Sequence, residues 1–233
     1  PRLPRRLGVT QFKECIMKVT VRAAELATLL DQAPEGLRYL SLDCFDTLVW
    51  RNVQAPRDVF ADLPIAGGGV GPRMWAEKRA RKTAKFNAER NEVPIEEIYR
   101  SLMPSASDAE IEEAVERELA AEARHCYGFQ PILDLMRDAK ARGLGIIIVS
   151  DTYLSEPQLR SLIGETAGEE ALGLVDRIFC SSEHGMSKGQ GLFKPVLKAL
   201  NVSPGAILHV GDNRNADQVA PHALGICTAH FKQ

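Results

Sequence analysis

The sequence predicts a doubly wound α/β fold: a parallel sheet with helices on both faces and a helical cap inserted after the first strand. Short, unbroken apolar runs, among them Gly145-Ile-Ile-Ile-Val149 and Ala206–Val210, read as strands buried on both faces. From Phe129 onward these runs alternate with helical periods, as in successive βαβ units. Between Arg51 and Tyr127 nothing reads as a strand, so that stretch is expected to be an insertion of helices. A chain of 233 residues suits one domain plus such an insertion.

Taken in order, residues 1–36 form a leader with an amphipathic helix near Val21–Leu30, where Ala23, Leu26, Ala27 and Leu30 share a face. Leu37–Asp43 is the first buried strand. The sheet-forming core is expected over 37–50 and 128–233, and the cap over 51–127. Within the cap, Pro72–Arg90 is a long polar helix, Pro94 opens Ile95–Met103, and Ser107 with Glu110 makes a capping box for a helix reaching Cys126. The first of these helices carries seven basic and two acidic residues and the last seven acidic and two basic, so the two are expected to pack as complementary partners. Gly67-Gly68-Gly69 lacks the Gly-Lys-Ser/Thr ending of a phosphate loop and reads as a connector. Beyond the cap come a helix at Pro131–Arg142 stopped by Gly143, the strand Gly145–Val149, a helix at Glu156–Ile163 and the strand Arg177–Cys180. A helix at Leu192–Leu200, the strand Ala206–Val210, a helix at Val219–Leu224 and the strand Gly225–Ala229 complete the chain.

Composition narrows the function classes. Lys and Arg number 29 against 31 Asp and Glu, a net charge of -2, which lacks the basic excess of a nucleic-acid binder. No apolar run is long enough to cross a bilayer, so no membrane partner is expected. The basic N-terminus is not followed by the apolar stretch of a signal peptide. Five widely spaced cysteines argue against a disulfide scaffold or zinc site and for a reducing, cytoplasmic setting. The chain does not begin with Met, so a larger parent protein is expected.

In a sheet of this kind the ligand site lies beyond the carboxyl ends of the strands. The first strand there gives Asp43-Cys44-Phe45-Asp46-Thr47-Leu48, the second Ser150-Asp151-Thr152, and the fourth Gly211-Asp212-Asn213 with Asp217 five residues after Asp212. The third ends at Ser181-Ser182, with Lys188 before the next helix. Carboxylates gathered at one point repel one another unless a cation neutralises them, and a hard divalent ion such as Mg²⁺ takes oxygen ligands and a substrate phosphate. Such an ion would screen an anionic phosphoryl group from an attacking carboxylate, while Lys188 and the Ser150 hydroxyl hold the phosphoryl oxygens.

These four motifs, in order and in register with the strands, resemble those of the haloacid dehalogenase (HAD) superfamily, and the insertion is similar to its small C1 cap. The wording Asp-Cys-Phe-Asp-Thr-Leu, Ser-Asp-Thr-Tyr-Leu and Gly-Asp-Asn is similar to a bacterial branch of uncharacterised HAD-like hydrolases, some fused to glycosyltransferases. The resemblance implies a Rossmann-like core and an aspartyl-phosphate formed at Asp43. It implies Mg²⁺ held by Asp43, the Phe45 backbone carbonyl and Asp212. Asp217 would support the metal, and Thr47 would orient the nucleophile. A fused or partner glycosyltransferase domain is a further implication.

One position departs from the pattern. Phosphatases of the superfamily place an Asp two residues after the nucleophile as general acid, and Phe45 stands there. Asp46 is one residue further, and a one-residue step along a strand turns the side chain away, so Asp46 is expected to brace the following turn, with entry to the site as an accessory acid, should the loop turn there, as the alternative. Asp151 is expected to cap the helix at Ser155, with an accessory role in the site as the alternative. Asn213 is an accessory candidate. On the cap, Arg73 or Arg81 is a candidate contact for an anionic substrate, as is Arg51 just after the first motif. Trp50 and Trp75 are expected in the core. The expected function is Mg²⁺-dependent hydrolysis of a small phosphorylated metabolite. Two rivals stand beside it, a catalytically weak phospholigand-binding or regulatory domain and a metal-free haloacid dehalogenase.

Overall fold

The computed structural model describes residues 17–65 and 69–233. The first part of the leader and most of the Gly67–Gly69 connector therefore lie outside the described residues.

Six strands form one parallel sheet in the order β1-β8-β7-β2-β5-β6: β1 (Lys18–Val21), β2 (Tyr39–Leu42), β5 (Gly145–Ser150), β6 (Arg177–Cys180), β7 (Ile207–Gly211) and β8 (Cys227–Phe231). The residues Ile146–Val149 of β5 and Leu40 and Leu42 of β2 have no exposure, as continuous apolar runs in a sheet covered on both faces require. Each such side chain contributes about 1.5–3 kcal/mol on burial. β2 is central, with β7 on one side and β5 on the other, so the order reverses at β2 and the crevice for ligands opens at its carboxyl end.

The helices α4 (Gln130–Ala141), α5 (Glu156–Ala167), α6 (Glu169–Gly173), α7 (Ser181–His184), α8 (Phe193–Leu200) and α9 (Ala220–Ala223) connect these strands. Two apolar clusters result: one built on Leu40, Leu42, Ile146 and Ile148, the other on Ile147, Val149, Phe193 and Ile207. Alternate residues of β5 thus enter opposite clusters, following the two-residue period of a strand.

The insertion holds α1 (Val70–Ala88), α2 (Ile95–Leu102) and α3 (Asp108–His125). Ser107 caps α3 through the Ser107–Glu110 capping box. α2 packs against both α1 and α3. The basic and acidic helices are therefore not zipped along their lengths as their charges suggested; Arg73–Glu118 is the ion pair joining them among the described residues.

Other elements also differ from the sequence expectation. Lys18–Val21 is an edge strand paired in parallel with β8, too short and too mixed in polarity to be read from the chain. The helix after it, Ala23–Gln32, is a 3-10 helix, with Leu26, Leu29 and Leu30 buried. β3 (Val49–Arg51) and β4 (Cys126–Gly128) form an antiparallel pair where the chain enters and leaves the insertion. Each has three residues, too few for a period to show. Trp50 of this ribbon stacks on Phe129 at 4.2 Å and joins the core as expected, whereas Trp75 is 64% exposed on α1. Among the described residues Cys44, Cys126 and Cys180 are free thiols. No helix among the described residues is long and apolar enough to cross a membrane.

Candidate active site

The strand ends of β2, β5 and β7 converge on a cleft of about 460 Å³ whose other side is the insertion. Asp43, Phe45, Asp46, Asp151, Lys188, Asp212 and Asn213 line it from the sheet, and Arg51, Arg57, Phe60, Glu77 and Arg81 from the cap side.

At its floor Lys188 Nζ bridges two carboxylates, 2.8 Å from Asp43 Oδ1 and 2.5 Å from Asp217 Oδ1. One ammonium cannot fully compensate two buried carboxylates, and the surroundings decide which keeps its charge. Asp217 also accepts from His209 Nε2 at 3.1 Å and from the Asn213 backbone N–H at 2.9 Å. These donors outweigh its burial and hold it well below the usual carboxylate range. Among the described residues Asp43 accepts only from Lys188 and, on the same oxygen, from the Cys44 N–H at 2.8 Å. Burial therefore prevails and pushes Asp43 up to about 7, while the two carboxylates hold Lys188 above its usual range despite its burial.

Behind Asp217 lies a pair that sequence reading left out. Ser41 and His209 are register partners on β2 and β7, both fully buried, with Ser41 Oγ 2.8 Å from His209 Nδ1. Burial lowers the pKa of His209, so the ring is neutral. An ionised Asp217 only accepts, so Nε2 carries the ring proton and Nδ1 accepts from the Ser41 hydroxyl. The signal was available: a polar residue inside an otherwise apolar strand has to find a partner. Gly211 is also needed here, because a Cβ on it would stand 2.4 Å from Asp217 Cγ.

Asp212 is half-buried, and burial together with neighbouring Asp217 and Asp46 raises its pKa to about 6. Asp43, Asp212 and Asp217 bring ligand atoms within 4.8 Å of one another. Two carboxyls with raised pKa beside a third that stays ionised are an undercompensated negative cluster. The donors are hard oxygens, so the site fits a divalent cation of the Mg²⁺ type. Asn213 caps the following turn, accepting from Asn215 and Ala216 N–H groups. Asp151 does not cap α5; Ser155 does that itself. Asp151 Oδ1 instead accepts the Lys188 backbone N–H at 2.7 Å, tying the β5 end to the loop that carries the lysine.

Ser150 and Thr47 do not line the cleft, and their hydroxyl oxygens are buried without a hydrogen-bond partner. An unpaired buried hydroxyl costs about 1–3 kcal/mol, which marks both as polar groups awaiting a partner.

On the cap side the sequence candidates separate. Asp46 does not brace a turn with its side chain. Its backbone is left-handed (φ 57°), which breaks the strand period and brings its carboxylate to the cleft, 3.7 Å from Arg51 Nη1. Arg51 donates from Nε to Glu122 Oε1 at 2.6 Å and lies over the Phe45 ring, 4.1 Å from its centroid. Arg81 lines the cleft, bound to Glu77 at 3.0 Å and Glu92 at 2.6 Å. Arg73 does not reach it. Wholly buried, it forks onto Glu118 at 2.6 and 2.7 Å and lies over Phe60 and Tyr153, since a fully desolvated guanidinium needs a carboxylate more than a substrate. Arg57, which sequence reading missed, lines the cleft from the 3-10 helix Pro56–Asp62.

Residues 37–225 match a family model described as haloacid dehalogenase-like hydrolase. No curated protein sequence matches the chain. Among solved structures, one similar to it is a HAD family enzyme of Bacteroides thetaiotaomicron in a magnesium complex, with TM-score 0.59, 15% identity, and 85% of this chain and 94% of that one covered. The 2-haloacid dehalogenase of Pseudomonas syringae pv. tomato DC3000 aligns at TM-score 0.57 and 16% identity, over 84% of this chain and 86% of that one. The L-2-haloacid dehalogenase of Xanthobacter autotrophicus, with chloropropionic acid covalently bound, aligns at 0.55 and 13%, over 83% and 77%. At these identities the likeness speaks for the fold.

Proposed function

The chain belongs to the haloacid dehalogenase-like hydrolase family, and we propose that within it this protein is a Mg²⁺-dependent phosphatase acting on a small phosphorylated metabolite. The observation that carries the reading is the floor of the cleft, where Asp43 is engaged through one oxygen and three carboxylates, Asp43, Asp212 and the ionised Asp217, share the single ammonium of Lys188. Asp43, Asp212 and the Phe45 backbone carbonyl would hold the ion, with Asp217 behind them. When bound, Mg²⁺ screens the phosphoryl charge from the attacking carboxylate.

The chain's own residues supply the rest. Asp43 attacks phosphorus, the bond to the leaving oxygen breaks, and an aspartyl-phosphate forms; water then attacks phosphorus and frees the carboxylate. Lys188, fixed by Asp151 through its backbone and by Asp217 through its ammonium, presents positive charge to the phosphoryl oxygens. Ser150 would have to turn its unpartnered hydroxyl into the cleft to meet the same group, and Thr47, whose hydroxyl likewise bonds no partner, does not hold Asp43 in this structure. His209 and Ser41 keep Asp217 ionised. The helices of residues 51–127 serve as a cap that selects the substrate.

Phe45 and the dehalogenase folds favour a second reading, displacement of halide without metal. Against it, Asp43, Asp151 and Asp212 line one cleft, and they would repel the carboxylate of a haloacid. The test is phosphate release from a panel of phosphorylated metabolites with and without Mg²⁺. Asp43→Asn is expected to lower it on the order of 10⁴-fold or more. Binding without release would favour a phospholigand-binding domain, and metal-independent halide release would favour a dehalogenase.

A further inference from the structure

The cleft has no obvious proton donor for a leaving oxygen. Phe45 occupies the position two residues after Asp43 and cannot protonate anything. Of the cleft's other carboxyls, Asp212 is assigned to the metal in the phosphatase reading, Asp46 is ion-paired with Arg51 at 3.7 Å, Glu77 is bridged by Arg73 and Arg81, and Asp151 anchors the Lys188 backbone amide. What stands at Phe45 instead is a cation. The Arg51 guanidinium lies over the ring at 4.1 Å, with a side chain only 10% exposed, and Glu122 fixes it through Nε. Its Nη1 is ion-paired with Asp46 at 3.7 Å, longer than a hydrogen bond, which leaves its N–H able to donate to a ligand in the cleft. The Glu122 carboxylate holds Arg51 above its already high pKa, so it supplies charge and never a proton.

We propose that Arg51 stabilises the leaving oxygen as an anion, and that this site therefore takes phosphoryl compounds whose leaving groups are stable unprotonated: acyl phosphates, anhydrides and phosphates of acidic hydroxyls. The proposal rests on the phosphatase reading and narrows it. In the first step an Asp43 oxygen bonds to phosphorus, and the bond to the leaving oxygen breaks. That oxygen departs with the electron pair beside Arg51 and takes a proton from water afterwards. In the second step water adds to phosphorus, the bond to Asp43 breaks, and the water's proton goes to solvent. Arg51 acts on the first step only.

The experiment is a series of aryl phosphates with Mg²⁺, from acidic nitrophenols to phenol itself. The wild type is expected to show kcat/KM falling steeply as the phenol becomes less acidic. Because Arg51→Met leaves Glu122 buried without its cation, it is combined with Glu122→Gln. This pair is expected to lose about 10²-fold on phenyl phosphate and far less on the nitrophenyl esters. Phe45→Asp, which installs a proton donor, is expected to flatten the dependence. Intact-mass analysis after rapid quench should show slower appearance of the phosphoryl adduct in the Arg51 variant, with unchanged decay. A shallow wild-type dependence, an equal loss on every ester, or a change confined to adduct decay would each overturn the proposal and leave the phosphatase reading standing. No adduct and no release from any ester would sink both.

Discussion

Two buried arginine–glutamate pairs draw their acids from the same helix one turn apart, and they do different things. In the cap interior Glu118 takes Arg73 in a fork, receives the Tyr99 hydroxyl at 2.8 Å, and Arg73 lies between Phe60 and Tyr153. At the cleft Glu122 takes Arg51 through Nε alone. The first pair is closed, every strong donor facing an acceptor, and such a cluster fixes one packing of the helices around it. The second is held firmly enough to be preorganised and left open enough to meet a ligand. A satisfied buried charge serves structure; an incompletely satisfied one at a cleft is available to chemistry.

The sharpest way to break this contrast is to remove each cation. Arg73→Met should destabilise the protein by about 3–5 kcal/mol, since Glu118 would remain buried and unpaired. Thermal or urea unfolding would show it, and a loss below about 1 kcal/mol would mean that the cap does not depend on the fork. Arg51→Met should destabilise less, by roughly 1–3 kcal/mol, its partner lying nearer the cleft.

Ser150→Ala tests the same idea with a neutral group. Removing an orphaned hydroxyl should leave stability unchanged or raise it by up to about 1 kcal/mol. Affinity for inorganic phosphate in the presence of Mg²⁺ should fall about tenfold, one charge-assisted hydrogen bond's worth. Clear destabilisation with unchanged phosphate affinity would assign Ser150 to the core alone.

The smallest effect concerns pH. Asp43 and Asp212 are raised to about 7 and about 6 in the folded protein without metal, so the folded state binds more protons than the unfolded one between about pH 4 and 7. Their contribution is fully present below about pH 4 and is lost as pH rises through 6 and 7, so the metal-free protein should become less stable over that interval. Asp217 has the opposite sign, but its loss on acidification belongs below pH 4. Mg²⁺ competes with those protons, so its stabilisation in a thermal melt should be larger at pH 8 than at pH 5.5. An equal shift at both would place the ion elsewhere.

Most of the sheet was legible because buried parallel strands are apolar without interruption, and β5 and β7 could be read almost to the residue. Strands too short to show a period, β1, β3 and β4, could not. The sheet-end residues that meet in the cleft, Asp43, Asp151 and Asp212, were legible because they stand where those strands end. What escaped were relationships made across the fold. Asp46 turns into the cleft through a left-handed backbone that no pattern of polarity announces. Arg73 and Arg51 both read as candidate substrate contacts, and only the position of α3 shows that one is enclosed and the other lines the cleft. Ser41 and His209 sit 168 residues apart and meet through strand register.

The ribbon of β3 and β4 has a consequence of another kind. Arg51 pairs with Cys126 and Val49 with Gly128, so the chain leaves for the insertion and comes back through neighbouring strands, with Trp50 wedged against Phe129 at the junction. Neighbouring strands lie about 5 Å apart, so the core is asked only that whatever departs at one strand returns to the other. The ribbon is therefore a socket of fixed gauge. Replacing the helices between Arg51 and Cys126 with another module that starts and ends on neighbouring strands is expected to leave the acidic floor beneath with its geometry.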